Sequence, residues 1–116
     1  MMAAMPGPSV ALVSGDLLLA SRLRAALRDT AAVAVVSGPG VPRADTVFVD
    51  LNDDVEARIE VISELRARGE VRIIGFCQHD ARDLRIRAME VGADQVVTNG
   101  ALQEAALRLV GVPGRG

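Results

Sequence analysis

Five short apolar runs rich in β-branched residues recur along this chain: Val10–Val13, Val33–Val36, Thr46–Val49, Val71–Phe76 and Gln95–Thr98. A continuous apolar run bounded by turn residues is the mark of a strand buried on both faces, and such strands belong to parallel sheets. The stretches between the runs have mostly helical patterning. Strands alternating with helices predict an α/β fold, a five-stranded parallel sheet with helices on both faces.

The first helix is expected over Leu17–Arg28, capped by Ser14 or Asp16. Leu19, Leu23, Ala26 and Leu27 share one face, and Arg22, Arg24 and Arg28 face water. A second helix is expected over Glu56–Arg68, with Ile59, Ile62 and Leu65 inward and Gly69 as its stop. A third covers Ala81–Val91, capped by Asp80 and closed by Gly92, and a last one covers Ala101–Val110. The connection between the second and third strands is different. It has about eight residues, Ser37–Ala44, with Gly38, Pro39, Gly40 and Pro42 among them. A parallel crossover takes about a dozen residues or more, so the crossover helix here is expected to be absent or cut to one turn. Residues 9–110 read as a single domain between flexible tails at 1–8 and 111–116.

Composition narrows the function. There are two Phe and no Trp or Tyr, so stacking platforms for bases or sugars are lacking. Net charge is −2 with both signs interleaved, and no basic patch marks a nucleic-acid partner. A single cysteine, Cys77, and a single histidine, His79, do not make a disulfide or a zinc site. No apolar stretch approaches the ~20 residues that span a bilayer. A cytoplasmic protein without a membrane segment is expected, and the Arg-rich, Lys-free composition suggests a bacterial source.

Two segments carry a family likeness. Asp45-Thr46-Val47-Phe48-Val49-Asp50-Leu51 resembles the strand that delivers the phosphorylated aspartate in response-regulator receiver domains. Ala88-Met89-Glu90-Val91-Gly92-Ala93-Asp94 resembles a helix end and turn of the same family. The resemblance covers about residues 9–110. It implies a receiver-like, flavodoxin-like three-layer sandwich, with Asp50 at the phosphoacceptor position. It also implies a magnesium ion held by an acidic pair after the first strand. Here those positions read Ser14 and Gly15, with Asp16 next. Cys77 stands for the usual Thr or Ser, Asn99-Gly100 for the Lys-Pro pair, and Val96 for a common aromatic. Asp53-Asp54 and Arg58 replace the Met-Pro and Gly that normally follow the phosphoacceptor. No arginine occupies a motif position that could take over the missing charge.

Phosphoryl transfer needs the charge on the transferring oxygens neutralised, which metal and Lys supply. With both lost, the expectation is a degenerate receiver. It would be a non-enzymatic protein-interaction module in bacterial signalling or regulation, with no cofactor. The alternatives are a working phosphoacceptor using Asp50 with Asp16 and magnesium, or a small-ligand binder at the strand ends. Asp16, Asp53 and Asp54 are candidates for an acidic cluster around Asp50, against their reading as helix-start acids. Cys77 is expected to be a small buried residue, and His79 a surface one. Arg82, Arg85 and Arg87 with Ile86 form a candidate partner face. The lost crossover helix is expected to expose apolar sheet surface and favour a homodimer or a stable complex. The contact would lie at the 37–44 flank or at the Ile86 face.

Overall fold

The computed structural model describes residues 8–110. In chain order the elements are β1 (Ser9–Val13), α1 (Leu17–Ala26), β2 (Ala32–Val36), β3 (Thr46–Asp50), α2 (Val55–Arg68), β4 (Arg72–Cys77), α3 (Arg82–Val91), β5 (Gln95–Thr98), a 3₁₀ turn (Asn99–Ala101) and α4 (Leu102–Leu109). The five strands form one parallel sheet in the order β2-β1-β3-β4-β5. The chain winds one way from β1 to β2, then returns to the other side of β1 for β3. Loops leaving β1 and β3 therefore diverge, and a crevice opens at the C-terminal ends of those two strands.

Alternation along the strands divides the core in two. Val10, Leu12, Phe48, Ile74 and Phe76 point to the face covered by α1 and α4, where Leu23, Leu27, Leu102 and Ala106 meet them. Ala11, Val13, Val47, Val49 and Ile73 point to the other face, under Ile59, Ile62 and Leu65 of α2 and Ala88 of α3. Every residue of β3 is buried, so this central strand places Asp50 at the floor of the crevice.

No helix forms between β2 and β3, as expected. The expected apolar gap is smaller than the breaker residues suggested, because the loop fills it. Val41 is only 5% exposed and enters the core beside Val36 and Ala44. Arg68 at the end of α2 anchors it there, donating from Nη1 to the Val41 carbonyl at 2.9 Å. Ala32 and Ala34 of β2 remain exposed.

Several boundaries differ from expectation. Helix α1 stops at Ala26, and Leu27 is its C-cap, its N–H on the Leu23 carbonyl at 3.0 Å while the Arg28 N–H reaches the Ala25 carbonyl at 3.4 Å. Asp80 does not cap α3. A tight turn closed by the Ala81 N–H on the Gln78 carbonyl at 3.1 Å contains it, and Ala81 is the cap residue, with no side-chain cap. Asp54 enters α2 at φ 49°, a left-handed conformation uncommon for a residue other than glycine. Gly92 has φ 133°, and a Cβ there would lie 2.7 Å from Cβ of Arg66; only glycine fits on both counts. The proposed tails, 1–8 and 111–116, fall outside the described residues apart from Pro8.

Candidate functional site

The site is built by the ends of β1 and β3, the loop after β3 and the turn after β5. Asp50, the last residue of β3, is 4% exposed. An ionised carboxylate only accepts hydrogen bonds, and burial makes each unfilled acceptor costly. Neutral donors fill it. Ser14 Oγ donates to Oδ2 at 2.6 Å. The Asp16 N–H donates to Ser14 Oγ at 3.0 Å, which leaves the hydroxyl proton aimed at Asp50. Asn52 donates to Oδ1 twice, from its backbone N–H at 2.9 Å and from Nδ2 at 2.7 Å. The first of these is an Asx turn, an Asp side chain bonding the backbone two residues on.

Asn52 also ties the site to the far side of the crevice. Its Nδ2 donates to Asn99 Oδ1 at 3.0 Å, and Asn99 Nδ2 returns a bond to Asn52 Oδ1 at 2.9 Å. A pair of amides thus joins the β3–α2 loop to the turn after β5.

Beneath this network lies Arg58, 2% exposed. Its Nη1 donates to the Asp50 carbonyl at 2.9 Å and to the Val13 carbonyl at 3.4 Å, and it stands 3.7 Å from Asp53 Oδ1. The sequence shows no arginine at a motif position that could supply charge here, and Arg58 reaches the site all the same from the inward face of α2. The helical spacing held the signal: Arg58 lies four residues before Ile62 and seven before Leu65, on the inward face of α2. Asn52 was also unforeseen, although an Asn two residues after Asp is a recognisable turn partner.

The acidic cluster does not assemble. Asp16 turns back on its own helix, where Oδ1 accepts from the N–H groups of Leu18 and Leu19 at 3.1 and 3.0 Å. It is the N-cap of α1, one of the two residues expected there. The Asp53 side chain is largely exposed, and Asp54 makes no side-chain cap. Among the described residues no three His, Cys, Asp or Glu are grouped to hold a metal ion. Gly15 is exposed and brings no side chain. The residues present do not fit the magnesium ion that the resemblance implies. Neutral Ser14 and Gly15 stand where an acidic pair is needed, and the Asp50 oxygens already have donors.

Cys77 ends β4 and is buried. Burial pushes its thiol pKa up; Arg85 opposes this and Asp80 adds to it. His79 is exposed. On α3, Arg85 is tied to the His79 carbonyl at 3.0 Å. Arg87 is paired with Glu56 of α2, Nη1 to Oε2 at 2.7 Å, and that pairing holds the Glu56 carboxyl below its usual range. Arg82 is exposed. Ile86 and Met89, one helical turn apart, are 48% and 47% exposed.

No family profile matches the chain, and no curated protein matches it. Solved structures do. The receiver domain of the TMAO respiratory system response regulator TorR superposes with a TM-score of 0.76 at 24% identity, over 88% of this chain and 92% of that one. A Burkholderia pseudomallei response regulator, solved with a phosphorylated aspartic acid, calcium ion and citrate, gives 0.76 at 19% identity, over 89% of this chain and 66% of that one. Thermotoga maritima DrrB, an OmpR/PhoB homolog, gives 0.75 at 18%, over 90% of this chain and half of that one. The fold is that of receiver domains, a five-stranded parallel flavodoxin-like sandwich.

Proposed function

We propose that this chain is a receiver-like domain working as a non-enzymatic protein-interaction module in cytoplasmic bacterial signalling, with Asp50 outside the usual magnesium-dependent phosphorylation route. One observation carries the reading: both carboxylate oxygens of Asp50 are taken by the neutral donors Ser14 and Asn52 in a buried setting. Attack on a phosphoryl group would break those bonds, and neither a metal ligand set among the described residues nor a lysine anywhere in the chain compensates the charge that builds up. Incubation with magnesium and a small-molecule phosphodonor is therefore expected to leave the mass of the intact protein unchanged. A gain of one phosphoryl group, lost in Asp50→Asn, defeats the reading.

The partner surface we assign is the exposed face of α3. Arg85 and Arg87 are occupied within the chain, which leaves Ile86, Met89 and Arg82 to meet a partner. A second copy of the chain suits it, since isologous pairs are the commonest assembly. The 37–44 flank contributes less, because Val41 already covers it. Sedimentation at micromolar concentration is expected to give a dimer that Ile86→Glu converts to monomer. A dimer indifferent to that substitution moves the contact elsewhere, and a wild-type monomer removes self-association from the proposal. No helix among the described residues is long and apolar enough to cross a membrane.

A further inference from the structure

We infer that Arg58 is a built-in cation of the Asp50 site and makes that site indifferent to divalent metal ions. A buried charge persists only where it is paired or hydrogen-bonded, so its partners define its work. Those partners are the main-chain carbonyls of Asp50 and Val13, the last residues of two adjacent strands, with the Asp53 carboxylate 3.7 Å away. All lie at the crevice end of the sheet. A guanidinium stays protonated at every accessible pH. This side chain therefore holds a fixed positive charge against the backbone of the residue that a metal would have to reach.

The remaining ligand oxygens tell the same story. Magnesium and calcium need several oxygen donors at once. The Asp50 carboxylate accepts three hydrogen bonds, from Ser14 Oγ and twice from Asn52. Asp16, the nearest acid in sequence after β1, spends Oδ1 on the first turn of α1. A divalent ion would have to displace these donors while facing a like charge already in place. The inference concerns the site's electrostatics and does not rest on the domain being an interaction module.

The test uses the full chain. Magnesium at millimolar concentration is expected to leave the melting temperature of the wild type unchanged, and manganous ion to leave the amide resonances of Ser14, Asp50 and Asn52 unbroadened. In Arg58→Gln the fixed charge is gone. Affinity for manganous ion at those residues should rise roughly tenfold to a hundredfold, the range typical of changes around a metal site. Arg58→Lys, which keeps the charge, should remain as indifferent as the wild type. Saturable broadening at Asp50 in the wild type overturns the inference, and so does a folded Arg58→Gln that gains no affinity. Should Arg58→Gln not fold, the wild-type titration decides alone, saturable broadening overturning the inference and its absence upholding it. Metal binding without phosphorylation overturns this inference and spares the functional reading; phosphorylation without metal does the reverse.

Discussion

Ser14→Asp is expected to destabilise the domain by about 2–3 kcal/mol at neutral pH, and the loss should fade in acid. Ser14 is buried and its hydroxyl donates to Asp50 Oδ2 at 2.6 Å. The substitution deletes a charge-assisted hydrogen bond, worth roughly 1.5–3 kcal/mol, and sets a second carboxylate against the first. Arg58 offers limited relief, because its Nη1 is committed to main-chain carbonyls. The sign of the pH dependence follows from proton uptake. Two carboxylates in one buried place share a proton at a pH where an isolated one is ionised. The folded variant then binds more protons than its unfolded chain, so stability falls as pH rises above the ordinary carboxyl range, about pH 4. Urea unfolding at neutral pH and near that range measures both parts. A variant as stable as wild type at neutral pH would mean that the crevice is far wetter than the buried Ser14 and Asp50 imply.

Phe48→Ala should cost more, roughly 3–5 kcal/mol, against a total stability of about 5–15 kcal/mol for a domain of this kind. Phe48 is one of two aromatics in the chain and is fully buried. It lies in the central strand, paired with Leu12 on one side and Ile74 on the other. Leu23, Leu27 and Leu102 belong to the same core. Aliphatic neighbours in good rotamers do not close fully over a lost ring, so most of the cavity persists. The midpoint of urea unfolding reads the effect. A loss below about 1 kcal/mol would show that α1 and α4 settle onto the sheet when the ring is removed, contrary to the tight packing expected of such a core.

Much of the architecture was legible because its causes are local. Val10–Val13 and Thr46–Val49 are buried strands on composition alone, and both lie inside the strands observed. The Gly- and Pro-rich segment after β2 excludes a helix through backbone sterics that need no tertiary partner. Gly69 and Gly92 mark helix ends for the same kind of reason, a positive φ. Errors gathered where local signals compete. Asp80 has the chemistry of a cap, but the tight turn from Gln78 to Ala81 decides where α3 begins.

The site itself depends on residues far apart in the chain. Sequence alone placed Asp50 at a strand end and Ser14 at another, since each follows its own apolar run. That their side chains meet at 2.6 Å across 36 residues depends on β1 and β3 being neighbours in register. The amide pair of Asn52 and Asn99 spans 47 residues, and the bond from Arg58 to Val13 spans 45. Neither residue type announces such a partner. Even the burial of Arg58, whose helical spacing pointed inward, takes its meaning from the carbonyls that receive it. Asp16 had two plausible fates, helix cap or site ligand, and the packing of α1 settled it as the cap. Local propensity decides which segments become strands and helices. Which polar groups then satisfy one another is decided by the sheet, because a buried donor or acceptor must find its partner wherever the fold brings one within reach.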